Sequence, residues 1–184
     1  MARPSALLLA AILAAGPAAA QHHGGAHAPD QAAASPYAGM QSRPIKALSD
    51  QQLSDLRAGR GMGLALVAEL NGYPGPAHVL ELAEPLELSA EQRDRTRALR
   101  EAMTAETVPL GERLIAEEAA LDRAFATRSV TPASLESLTA AIGRSQAMLR
   151  AAHLRYHLAM VEVLTPEQRR RYNELRGYSA PARD

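Results

Sequence analysis

Residues 90–163 read AEQRDRTRALREAMTAETVPLGERLIAEEAALDRAFATRSVTPASLESLTAAIGRSQAMLRAAHLRYHLAMVEV. Apolar residues recur in them at Leu99, Met103, Leu110, Leu114, Leu121 and Phe125. They recur again at Leu135, Leu138, Ile142, Leu149, Ala152, Tyr156, Ala159 and Val163. The second set advances in alternating steps of three and four, with Ser145 filling its one gap, which is the seam of a helix lying along another helix. Between the sets stands Arg128-Ser129-Val130-Thr131-Pro132. Thr caps helix N-termini and Pro suits the first helical position, so one helix ends and the next begins here. Folding the chain back about Val130 sets Phe125 against Leu135, Leu121 against Leu138, Leu114 against Ser145, Leu110 against Leu149 and Met103 against Tyr156. The two sets mesh, and the reading is a long antiparallel helical hairpin over 90–127 and 132–163. At 1.5 Å per residue each arm is roughly 45–55 Å long. Pro109 removes one backbone hydrogen bond from the first arm, so the hairpin is expected to bend there.

Upstream, punctuation divides the chain into three short helices. One covers 49–58 and closes at Gly59 or Gly61. A second covers 62–70 and stops at Asn71-Gly72-Tyr73-Pro74-Gly75-Pro76. A third covers 77–84 and ends near Pro85. Gly59-Arg60-Gly61-Met62-Gly63 is not read as a phosphate loop, because no strand precedes it and no Lys-Ser/Thr follows. The fold class is therefore all-α: a long, bent antiparallel hairpin with short N-terminal helices. Such a hairpin leaves apolar surface that its own chain covers only in part, so a homodimer is expected.

Composition narrows the function classes. One Phe, five Tyr and no Trp favour thin helix-on-helix layers over a ring-filled core. Residues 1–20 have the anatomy of a cleavable signal peptide: Arg3, an apolar run around Leu7-Leu8-Leu9, and the small-residue site Ala18-Ala19-Ala20. The run is shorter than the roughly 20 residues a membrane span needs, so no stable membrane insertion is expected. Export places the mature chain in a periplasm-type compartment. Losing Arg3 leaves the basic residues one short of the 20 acidic ones, which argues against nucleic acid as a partner. There is no cysteine, so packing or a partner subunit supplies stability. The chain thus divides into a signal peptide (1–20), a flexible His/Gly/Ala/Pro-rich arm (21–47), a helical domain (48–178) and a short tail (179–184).

One pattern repeats. Leu88-Ser89-Ala90-Glu91-Gln92 and Leu164-Thr165-Pro166-Glu167-Gln168 both read L-[ST]-x-x-Q, and Leu48-Ser49-Asp50-Gln51-Gln52 is a looser third copy. Each is a capping box: the hydroxyl accepts from the N3 amide, and the Gln side chain reaches back to the N-cap amide. With the signal peptide and the helical middle, the boxes resemble the Spy/CpxP family of periplasmic chaperones and stress modulators. Its heavy-metal-responsive relatives are of the ZraP and CnrX kind. The resemblance covers roughly 48–178, and the glycine-punctuated segment 59–76 departs from it. It implies a bent hairpin that dimerises into a shallow cradle and has no enzymatic activity. Its implied partners are unfolded or misfolded periplasmic proteins, or a membrane sensor protein.

No nucleophile–base–acid set stands out, so the chain is not read as an enzyme. Histidine is the informative residue. His153 and His157 are one helical turn apart, Met160 follows on the same stripe, and Met103 falls at their level on the other arm. Two imidazoles and a thioether suit a late transition metal ion: copper, nickel or zinc. The alternative is that the histidines are structural and the methionines fill space. Cleavage after Ala20 would expose Gln21-His22-His23, where an amine, two amides and an imidazole can form a square-planar site, with His22 and His27 as further ligands. His78, at a helix start, is read as bonding to the glycine-rich turn. Arg93, Arg97 and Arg100, and the cluster Arg169-Arg170-Arg171, either solvate a helix face or attract acidic clients. Two classes therefore stand: a non-catalytic heavy-metal-binding stress or resistance protein, and an ATP-independent chaperone or envelope-stress modulator.

Overall fold

A computed structural model describes residues 35–178, and the fold is that of the unit beginning at Tyr37. Among these residues all regular structure is helical: α1 (Asp50–Arg57), α2 (Leu66–Glu69), α3 (Pro76–Glu81), α4 (Ala90–Ala126), α5 (Pro132–Val161) and α6 (Pro166–Leu175). A single 3-10 turn at Met40–Ser42 precedes them. The expected signal peptide, most of the expected arm and the tail lie outside the described residues.

The hairpin is α4 against α5, within two residues of the expected ends. Thr131 caps α5 with Pro132 in its first turn, and Arg128 closes α4 in the left-handed region at φ 55°. The register is as expected: Tyr156 Oη donates to Glu106 at 3.0 Å, less than one turn from its expected partner Met103. α4 runs on through Pro109 without interruption.

All three L-[ST]-x-x-Q boxes form as capping boxes, starting α1, α4 and α6. Two of them do more. Gln92 Nε2 donates to Gln168 Oε1 (2.8 Å) and to the Val163 carbonyl (2.9 Å). Gln168 Nε2 donates back to Gln92 Oε1 (3.1 Å) and to the Leu86 carbonyl (3.2 Å). Each glutamine thus caps its own helix and ties it to the start of the other.

Two cores result. In one, Leu53 and Leu56 of α1 meet Leu114, Ile115, Ile142 and Leu149 of the hairpin. Gly111 admits α1: a Cβ there would overlap the Leu56 carbonyl oxygen. In the other, Val79, Leu86, Met160, Leu164 and Tyr172 bring α3 and α6 onto the far end of α5.

Four expectations need correction. Of the seam residues, Leu114, Ile142 and Leu149 are buried, while Leu99, Leu110, Leu121 and Leu138 are only partly so. Near the tip Phe125 is 55% exposed and Leu135 38%, because two helices alone have no third layer there to cover them. The arm does not extend to residue 47: Ile45 is in the core and Lys46 pairs with Asp122 at 3.3 Å. The second short helix is only Leu66–Glu69, since turns at Gly63 (φ 79°) and Gly72 (φ 82°) bound it. The third begins at Pro76 and is finished by Glu81, short of the expected residue 84.

Candidate functional site

His153 and His157 both lie on the inward face of α5 and are buried. What covers them is the glycine-punctuated segment. At Gly75, the N-cap of α3, a Cβ would stand 2.8 Å from both Cε1 and Nε2 of the His157 ring, so this residue cannot carry a side chain without moving the imidazole. At Gly61 the same construction ends 3.8 Å from His153 Nδ1, an ordinary contact.

The two rings are held differently. His157 Nδ1 is 2.7 Å from the Tyr73 carbonyl oxygen. A carbonyl only accepts, so Nδ1 is the donor of this bond. His153 is 2% exposed, and its Nε2 is buried with no hydrogen-bond partner. Burial first, and then the neighbouring His157, hold the His153 pKa below its ordinary 6.5. Its ring is therefore neutral at neutral pH. Buried polar atoms are nearly always paired, and an orphaned one asks for water or an ion. A neutral imidazole with a buried, unpartnered nitrogen, one turn from a second imidazole, is a donor type that late transition metal ions prefer.

Beside His157 lies Glu69, 5% exposed and on the short helix α2. Its Oε2 accepts from the Gly75 amide at 3.2 Å and lies 3.7 Å from His157 Nδ1. Its Oε1 is 3.2 Å from His78 Nδ1, accepts a short hydrogen bond from Tyr172 Oη, and is 3.4 Å from Tyr178 Oη. Arg176 Nε is 3.9 Å away. Burial pushes the Glu69 pKa up, but the hydrogen bonds from His78 and Tyr172 outweigh it and bring it below the ordinary carboxylate value. Glu69 is thus a buried anion. Burial, and then the hydrogen bond to Glu69, raise the Tyr172 phenol well above its ordinary pKa, so it remains a donor.

The predicted site residues are only partly gathered. His153 and His157 are neighbours. Met160 is fully buried, but in the apolar cluster with Val79 and Tyr172. Met103 is half-buried on α4. His22, His23 and His27 lie outside the described residues. Among the described residues no group of three or more His, Cys, Asp or Glu is placed to hold a metal ion. His78 bonds to the Glu69 carboxylate rather than to the glycine-rich turn. Leu88, Ser89, Gln92, Leu164, Thr165 and Gln168 start and tie helices, with both leucines buried. The arginines are largely engaged: Arg93 with Glu84 and the Leu88 carbonyl, Arg170 with Glu167 and Glu174, and Arg171 with the Pro85 carbonyl.

Glu69 and the covering glycines were missed. The available signal was a lone acid in the otherwise apolar run Leu64-Ala65-Leu66-Val67-Ala68-Glu69-Leu70, since burying a carboxylate demands partners.

Fold and site together define a helical hairpin protein with a covered pair of imidazoles beside a buried carboxylate. The chain belongs to the heavy-metal resistance family, whose family model matches residues 62–171. The matched span takes in most of the glycine-punctuated segment, Glu69 and both histidines, and agrees with the resemblance to the heavy-metal-responsive relatives of Spy/CpxP. No curated protein and no solved structure matches the chain. No helix among the described residues is long and apolar enough to cross a membrane.

Proposed function

We propose that this protein is an exported, periplasmic, non-catalytic member of the heavy-metal resistance family that binds a late transition metal ion through His153 and His157. The observation that carries this reading is the orphaned Nε2 of His153, one turn from the ring of His157, which the Tyr73 carbonyl holds through Nδ1. When bound, the ion is sequestered rather than used for chemistry, because the surrounding groups are either engaged in hydrogen bonds or apolar. Copper, nickel and zinc are the candidates by donor type. A second copy of the chain completes a homodimer in this reading, and a membrane sensor protein is a candidate listener.

The test uses the full chain with His22, His23 and His27 replaced by alanine, which removes the arm as a competing ligand. Titrated with Cu(II), Ni(II) and Zn(II) by calorimetry, this parent binds at least one ion, and the further change of His153 and His157 to alanine abolishes binding. Equal binding by both proteins, or none by the parent, would return the two histidines to a structural role.

A second reading is supported by exposed apolar side chains. Leu66 and Val67 on α2, Leu70 just after it, Leu158 on α5 and Phe125 near the tip are each more than half exposed. Such surface suits holding unfolded periplasmic proteins without ATP. Failure to suppress aggregation of a reduced test protein at several-fold molar excess would remove this reading.

A further inference from the structure

The assigned ligand pair does not account for Glu69. A buried carboxylate is expensive to keep, and among the described residues the nearest guanidinium is that of Arg176, at 3.9 Å from Oε1. That guanidinium also stacks on Tyr178, 5.8 Å from the ring centroid, and faces Glu81 at 3.9 Å. The other neighbours are His78, His157, two tyrosine hydroxyls and one backbone amide. Three separate pieces of chain converge on one carboxylate, and one oxygen of it flanks the His157 nitrogen that donates to the Tyr73 carbonyl.

We infer that Glu69 is the outer-shell anion of the His153–His157 metal site, a positioning residue that orients His157 and offsets the charge of the bound ion. The inference rests on the metal-binding reading above. Metal-bound imidazoles commonly give their second nitrogen to a carbonyl or carboxylate, which fixes the ring and makes the ligating nitrogen more basic. Here the Tyr73 carbonyl accepts the hydrogen bond from His157 Nδ1, and the Glu69 carboxylate supplies the charge alongside. A fixed anion favours a doubly charged ion over a singly charged one, because the attraction scales with the ion's charge. Glu69 therefore biases the site towards a divalent ion.

The experiment compares Cu(II) and Cu(I) binding in the arm-histidine-free parent and in its Glu69→Gln variant. Glutamine keeps the shape and an acceptor oxygen for Tyr172 but removes the charge. Loss of an outer-shell partner weakens metal binding by about 10–100-fold, which is the effect expected for Cu(II). The electrostatic part of the loss is halved in logarithm for Cu(I), so its affinity falls only about 3–10-fold. The Cu(II)/Cu(I) affinity ratio drops accordingly, and the reduction potential of the bound copper rises. A merely structural defect at His157 would weaken both ions alike. An unchanged ratio, whether both affinities hold or both fall together, overturns the inference.

Arg176→Gln provides a second arm should Glu69→Gln fail to fold. It removes the nearest guanidinium from the same carboxylate, so the ratio must move the opposite way, and an unmoved ratio again overturns the inference. Copper bound by the parent, lost with His153 and His157, yet indifferent to Glu69 and Arg176 sinks this inference and leaves the metal-binding reading intact. No binding by the parent sinks both.

Discussion

Gly111 and Gly143 both sit inside long helices, yet the same substitution is expected to act with opposite signs at the two. Replacing glycine by alanine in a helix interior is worth roughly 1 kcal/mol in helix propensity, because alanine has less backbone entropy to lose. At Gly143 a Cβ meets nothing within 4 Å, so Gly143→Ala should take that gain whole and stabilise the fold by about 1 kcal/mol. At Gly111 the new Cβ would overlap the Leu56 carbonyl oxygen and crowd its carbonyl carbon at 3.0 Å. These are backbone atoms of α1, so relief requires α1 to lift from α4. That lifting unpacks Leu53 and Leu56 from Leu114 and Ile115. Overpacking of this kind costs about 1–3 kcal/mol, which cancels or exceeds the propensity gain. The propensity part is common to both sites, so the difference between the variants is the clash alone. At roughly 2–4 °C per kcal/mol for a chain of this size, the two melting temperatures should differ by about 2–12 °C, with Gly143→Ala the higher. Thermal unfolding followed by circular dichroism measures this directly. If the two variants melt together above the wild type, α1 does not pack on α4 as described.

Other expectations can be checked on the same instrument. Leu114→Ala should cost roughly 2–5 kcal/mol, while Phe125→Ala, at a side chain 55% exposed, should barely move the melting temperature; equal losses would contradict the uncovered tip. Gln92→Ala and Gln168→Ala should each cost about 1 kcal/mol as lost caps, and the double variant less than the sum, since the two side chains bond each other; strict additivity would deny that bond. His153 carries a pKa lowered by burial and then by His157, so the unfolded chain binds its proton more readily than the folded one. Its contribution to stability is thus complete above the ordinary value of 6.5 and declines as pH falls from there towards the folded pKa. His153→Leu should flatten that decline, measured in metal-free buffer between about pH 8 and pH 5.

Much of the architecture was legible because it is written in local chemistry. The capping boxes at Ser49, Ser89 and Thr165 need only four consecutive residues, and the turn at Thr131-Pro132 only two. Helix period and turn position together gave the hairpin register, which the bond from Tyr156 to Glu106 reproduces. The spacing of His153 and His157 likewise guaranteed a shared face. Periodicity states which face turns inward, but not what will lie on it. The expected seam therefore ran too far towards the tip, where Phe125 and Leu135 have no covering layer.

The sequence by itself determined the helices, their caps, the hairpin and the histidine pair, since each depends on neighbours within a turn or two along the chain. Tertiary structure alone decided what those features became. It laid Gly61 and Gly75 over the imidazoles, moved Met160 into an apolar cluster, and joined Gln92 to Gln168 across 76 positions. It also brought Tyr172 to Glu69 from 103 positions away. Contacts of that reach depend on how separate helices dock, and docking follows from shape and burial summed over whole faces rather than from any short pattern of residues.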